Sequence, residues 1–215
     1  FSYYGKRFFI DNLDPGVTLF EGDTNTVSLI ASPGYDRVFF YRSDLQNIFV
    51  GGSSGLTSSH TPSTITLQDR QQVLAQRSRK VTYLAGPEWT FKYGGVTGQL
   101  DYLHEITGRH HGDEVRAALG IPLGHLGGTW SANLGLTWKS AAVVNYYYGG
   151  PGLYDAGPAL NPFAKIGYSR PLSSKWKLDA FVHFERLGSA IYDSPIVAQH
   201  YVTTTFVGAT YVFHQ

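Results

Sequence analysis

The chain has 215 residues, a formal charge of +1, no Cys and no Met. Without Cys there can be no disulfide, thiolate nucleophile or Cys-based metal site, and the near-zero charge gives no reason to expect a nucleic-acid partner. A mean hydropathy of −0.16, with no run approaching about 20 apolar residues, excludes membrane-spanning helices. Fifteen Tyr and 25 Gly instead suit strands joined by many turns. A chain lacking Met cannot begin at a translation start, so the expectation is a removed leader or a missing N-terminal segment.

In chain order, Arg7 to Phe20 is expected to hold one or two strands, interrupted by Asp14-Pro15-Gly16. Glu21-Gly22-Asp23-Thr24-Asn25 reads as a turn. Val27, Leu29 and Ala31 open another strand, which Arg37 to Tyr41 continues. Residues 43–80 are polar and read as a long loop, with a short helix over Leu67 to Arg79. A loop of that length lines a surface or lumen, or is simply disordered.

From residue 81 the text turns regular. Val81, Tyr83, Ala85, Pro87, Trp89, Phe91 and Tyr93 alternate with Thr82, Leu84, Gly86, Glu88, Thr90 and Lys92. Side chains of a strand alternate faces, so each such segment has an apolar and a polar side. Gly94-Gly95 is a tight-turn signal. Val96 to Leu103, Glu114 to Leu123 and Trp130 to Lys139 repeat the pattern, separated by a polar loop at Gly108–Asp113 and a turn at Gly127-Gly128. A loop rich in Tyr, Gly, Pro and Asp runs from about Asn145 to Asn161. Phe163 to Arg170, a turn at Pro171–Ser174, Leu178 to Glu185, a loop through Asp193-Ser194-Pro195, and Tyr201 to Phe213 complete the chain.

Short turns alternate with long loops, and the strands approach ten residues. Both are habits of a transmembrane β-barrel, with short periplasmic turns and longer extracellular loops. The expected fold is therefore all-β: one domain over residues 1–215, a closed antiparallel transmembrane barrel of ten or twelve strands, with an N-terminal strand missing. In that reading the apolar faces meet lipid and the polar faces meet the lumen. The lumen charges are Glu88, Lys92, Asp101, Glu114, Arg116, Lys139, Lys165, Asp179 and Glu185, joined by Glu105 and His183. They either line a narrow pore or ligand site or fill a small barrel. Trp89, Trp130, Trp138 and Trp176 sit near strand ends, as an interfacial girdle would. Tyr211 and Phe213 share the lipid-facing side of the last strand, which is expected to pair with the first and to carry the assembly signal.

Chemistry is hard to find. His110-His111 with Asp113 resembles a metal triplet, but adjacent strand residues point to opposite faces. Ser189, Ser194, His183 and His200 are the candidates for a hydrolase, yet no Gly-x-Ser-x-Gly elbow is present. The expectation is no catalytic residue, no metal and no cofactor.

Asn145-Tyr146-Tyr147-Tyr148-Gly149, followed by Tyr154-Asp155-Ala156-Gly157 and Asn161-Pro162, resembles the long-loop signature of the MipA/OmpV family. Arg186-Leu187 with Asp193-Ser194-Pro195-Ile196-Val197 resembles its final loop, and Tyr211-Val212-Phe213 its Tyr-x-Phe end. Gly5-Lys6-Arg7-Phe8-Phe9 and Gly34-Tyr35-Asp36-Arg37 are more loosely similar to its N-terminal half. The sequence departs from the family in His214-Gln215 after the terminal aromatic, and in starting at the family's second strand. The resemblance implies a non-catalytic Gram-negative outer-membrane barrel, exported by a signal peptide. Its surroundings would be outer-membrane lipid and lipopolysaccharide, and the barrel-assembly machinery would insert it. It would scaffold murein hydrolases, synthases or other envelope proteins. Tyr146, Tyr147, Tyr148, Gly149, Tyr154, Asp193, Ser194 and Pro195 are the candidate interaction loops. The rival expectation is a narrow porin-like channel for small solutes.

Overall fold

The structure is a computed structural model that describes residues 2–11, 14–34, 80–150, 152 and 154–211. Eleven strands lie among them: β1 Ser2–Tyr4, β2 Phe8–Asp11, β3 Asp14–Glu21, β4 Asn25–Gly34, β5 Thr82–Tyr93, β6 Val96–Glu105, β7 Asp113–His125, β8 Thr129–Lys139, β9 Ala159–Pro171, β10 Trp176–Arg186 and β11 Tyr201–Tyr211. Helix α1, Ala141–Tyr148, lies between β8 and β9, and the one-turn α2, Ser189–Tyr192, between β10 and β11. All the strands belong to one sheet in sequence order, each antiparallel to its neighbour.

Local chemistry sets the hairpins. Gly94 and Gly95 both take positive φ, 54° and 84°, the mirror-image turn that matches strand twist. Short connections join β3 to β4, β5 to β6, β7 to β8 and β9 to β10 at one end of the sheet. The longer connections gather at the other end. Leu19 and Leu123 are extra residues in their ladders, bulges that sharpen twist near the short-turn end.

The alternation read from the sequence holds in β4 through β11. Leu84, Leu103, Asp101, Glu114, Arg116, Asn133, Lys139, Lys165, Phe181 and His183 are buried on one face, while Leu100, Leu119, Leu134, Ile166, Val182 and Val207 are exposed on the other. The buried face is concave. Arg116 Nη1 on β7 donates to Ser32 Oγ on β4 at 3.4 Å. Those strands are three steps apart, about 14 Å in a flat sheet at about 4.8 Å per step. Two side chains bridge that gap only if the sheet curls toward them.

The described residues hold eleven antiparallel strands in one sheet, an all-β architecture as expected. Three expectations are corrected. Asp14-Pro15-Gly16 does not interrupt a strand but opens β3, with Asp11 paired to Asp14 across the reversal. Pro15 is tolerated because it sits at a strand start, where a lost N–H matters least. The Tyr-rich loop begins earlier than expected and contains a helix, because packing overrides the weak helix propensity of Val and Tyr. Asn161 belongs to β9. Finally, β11 pairs with β10 and shares no ladder with β1 among the described residues. The odd count explains this: β1 and β11 run in the same direction, so direct closure would be parallel. The expected strand over Arg37 to Tyr41, the loop at 43–80 with its helix, and Phe213 fall outside the described residues.

Gly86 lets the β6 backbone approach β5 closely. A Cβ there would lie 1.9 Å from the Tyr102 carbonyl oxygen, whereas at Gly157 it would meet nothing within 4 Å. Gly86→Ala is therefore expected to destabilise by about 1–3 kcal/mol through overpacking. Gly157→Ala should be close to neutral, both measured by urea unfolding of the refolded chain.

Candidate functional site

All nine sequence-picked charges fall on the concave face, eight of them buried or half-buried; Lys92, near the Gly94 turn, is exposed. Strand pairing brings them into interlocking groups. On β5 and β6, Gln99 Nε2 donates to Glu88 Oε2 at 2.9 Å and to both Asp101 oxygens at 3.2 Å. On β7, Arg116 Nε is 2.5 Å from Glu114 Oε1, and Lys139 Nζ of β8 approaches Glu114 Oε2 at 4.0 Å. On β9 and β10, Asn161 Nδ2 donates to Glu185 Oε1 at 2.7 Å, and His183 Nε2 lies 3.7 Å from Glu185 Oε2. Lys165 Nζ sits 4.4 Å above the Phe181 ring, and His183 stacks on Phe163. At the short-turn end Asp179 accepts from Lys177 Nζ at 2.9 Å and from Thr210 Oγ1 at 3.2 Å. Burying a charge is costly unless it is paired or hydrogen-bonded, and this face meets its acids with bases or amide donors.

Sequence reading missed Gln99, Asn161 and Thr210 as partners in these groups. Asn161 shares parity with Phe163 and Lys165, which would have found it had the strand been started earlier.

The long-loop end is closed over by a small apolar core: Val143, Val144, Tyr147 and Tyr148 of α1 with Ala156, Ala159, Leu187 and Ile191. The Tyr hydroxyls fasten α1 to strands on the far side of the curl. Tyr147 Oη shares a hydrogen bond with Thr82 Oγ1 at 2.8 Å and donates to the Gly34 carbonyl at 3.1 Å. Burial pushes its pKa up to about 12, so it remains a neutral donor. Tyr146 Oη accepts from the Lys80 N–H at 3.0 Å. Asn145 ties down the following loop by bonding both N–H and carbonyl of Ala156, and Ser194 Oγ donates to the Tyr148 carbonyl. Tyr154 Oη donates to the Ala190 carbonyl. Ser140, just before α1, does not cap its own helix; its hydroxyl accepts from the Asp113 N–H.

The loop between β6 and β7 wraps Glu105. Its carboxylate accepts from the N–H groups of Thr107, Arg109, His110 and His111, and from the Thr107 hydroxyl. His110 turns in against Tyr146 and Tyr147, with ring centroids at 5.1 and 6.0 Å. His111 is exposed with φ of 50°. Among the described residues no three His, Cys, Asp or Glu side chains converge.

Of the candidate interaction residues, Tyr147, Tyr148, Gly149 and Ser194 are buried inside the cap. Tyr146, Tyr154 and Pro195 are half-buried, and Asp193 is exposed. Tyr211 forms an edge-to-face pair with Trp176, at 5.1 Å, on the convex side. The hydrolase candidates stay apart: Ser194 serves the Tyr148 carbonyl, and His200 rests on Tyr192 at 4.3 Å. No hydrogen bond given by the described residues joins Ser189 or Ser194 to His183 or His200.

The family described as MltA-interacting protein MipA matches residues 1–213. The chain belongs to that family. No curated protein and no solved structure matches it.

In this MipA-family chain Tyr147 is the cap's main fastening. Tyr147→Phe leaves Thr82 Oγ1 and the Gly34 carbonyl without that partner inside the cap. The expected cost is about 1–3 kcal/mol. Faster hydrogen exchange confined to 141–148 and the ends of β4 and β5 would report it.

Proposed function

We propose that this chain is a non-catalytic outer-membrane β-barrel whose lumen is occluded, and which scaffolds murein-remodelling enzymes of the MltA kind. The observation that carries the reading is the filled concave face: interlocked charges of both signs, roofed by a packed cap. A wall lined this way spends its polar groups on one another and leaves few to bind a solute.

The convex face supports the membrane setting. It presents Leu100, Leu119, Leu134, Ile166, Val182 and Val207 outward. Trp130 against Tyr168, at 4.7 Å, and Trp176 against Tyr211 edge this band at the short-turn end. A soluble sheet would not expose such a band, whereas lipid requires one. The seam between β1 and β11 then calls for a further antiparallel strand, because lipid tolerates no open sheet edge. Family membership supplies the partner class, since the family's description names interaction with MltA.

Barrel convention puts the short turns in the periplasm, where murein lies. The docking surface is therefore the short-turn rim. The side chains of Tyr93 and Leu126 stand out there, 84% and 83% exposed, with Leu172 also exposed at its turn. The cap tyrosines face the opposite way and are engaged internally.

Two measurements bear on this. In planar bilayers the refolded chain should give no steady conductance; sustained openings altered by substitutions at Lys139 or Lys165 would favour the channel reading. Co-purification with a lytic transglycosylase should be lost on joint Tyr93→Ser and Leu126→Ser substitution; retention would move the docking surface elsewhere. The lipid setting has its own check. Leu134 is 65% exposed at mid-strand on the convex face. Leu134→Arg should cost about 2–4 kcal/mol in lipid vesicles. A cost near zero would mean that this face does not meet lipid.

A further inference from the structure

The cap rests on a histidine that the polar concave face does not use. His110 lies in the loop between β6 and β7, outside the strands, with its ring against Tyr146 and Tyr147 of α1. Its Nδ1 accepts from the Gly112 N–H at 3.0 Å. The neutral ring therefore carries its proton on Nε2, which is buried and has no hydrogen-bond partner. The loop is pressed firmly onto the helix. A Cβ added to Gly112 would come within 2.7 Å of Val143 and 2.8 Å of Ser140, and the Ser140 N–H donates to the Asp113 carbonyl.

We propose that His110 is an acid-sensitive latch, whose protonation releases α1 from the long-loop rim. A proton added at Nδ1 meets the Gly112 N–H, donor against donor. The half-buried ring then holds two N–H groups and a positive charge, and no acceptor serves the buried Nε2. Leaving a buried polar group unpaired is costly, and a charged one more so. The ring satisfies itself only by moving into water, and that withdraws the surface supporting Tyr146 and Tyr147.

Neighbouring charges must be weighed. Glu105, Glu114 and Asp113 favour the charged ring, while His104 and His111 oppose it. The Glu105 carboxylate is already engaged by backbone N–H groups of the same loop. Asp113 is held by His104 Nδ1 and by the Tyr102 hydroxyl, each at 2.8 Å. Burial outweighs what remains and holds the His110 pKa below the ordinary value. The sign follows. The released state, with an ordinary pKa near 6.5, binds more protons than the latched one. The latch is thus at full strength above about pH 6.5 and weakens as pH falls toward the depressed value.

The test is hydrogen exchange of the 141–148 segment in the full chain, refolded in detergent micelles and corrected for intrinsic exchange. Opening should rise by up to about tenfold per pH unit below pH 6.5. His110→Asn keeps an acceptor for the Gly112 N–H but cannot titrate here, and should flatten that dependence. Tyr146→Phe keeps the ring that meets His110 but loses the Lys80 bond, and should raise opening at every pH with the slope unchanged. An unaltered slope in His110→Asn overturns the latch. Should that variant not fold, imidazole resonances of the unmodified chain decide instead. A His110 titrating at or above 6.5, or away from the midpoint of cap opening, also overturns it.

Discussion

The constraint on which this molecule depends is that charge is placed on the inner face of the sheet and must be neutralised there. Lone buried charges are costly, so Glu114, Arg116, Lys139 and Glu185 are tolerated only where neighbouring side chains, Asn161 among them, meet them. Antiparallel pairing does this strand by strand. Curling does it across strands, as the Arg116–Ser32 contact between β7 and β4 demonstrates. The outer face is then left to apolar side chains, a reversal of the arrangement that water would select.

The cap follows from the same geometry. A curled sheet has an open end, and residues there cannot satisfy both their apolar side chains and their backbone without covering one another. α1 is a weak helix by sequence: after Ala141 and Ala142 it is made of Val, Asn and Tyr, with no side-chain cap at Ser140. Its stability comes from burying Val143, Val144, Tyr147 and Tyr148, and from hydroxyls that reach strands more than sixty residues distant in the chain. A helix held by its surroundings rather than by its own propensity responds when those surroundings change. That is why a single titrating ring beneath it, His110, has leverage.

The strand count carries a second consequence. Eleven described strands in a meander put the two outer ones parallel to each other, so antiparallel pairing between those two cannot close the ladder. β1 has three residues and β11 has eleven. No ladder joins them among the described strands. Edges of that length invite pairing with another strand.

What the sequence determined by itself was the facing of side chains. Period-two alternation is local, so the nine concave charges, the convex apolar band and the turn at Gly94-Gly95 were legible without coordinates. Residue motifs also carried the family, since Tyr146–Gly149 and Asp193–Val197 are local strings. Only the tertiary structure decided which charges meet, because register and curl set distances between residues far apart in the chain. It likewise decided that Asn145–Tyr148 is part of a helix, that Tyr147 and Tyr148 are buried in the cap, and that Asp14-Pro15-Gly16 opens a strand. Those outcomes arise from burial against distant elements, which no window of sequence contains. Propensity yields to packing wherever a weak local preference meets a large apolar contact.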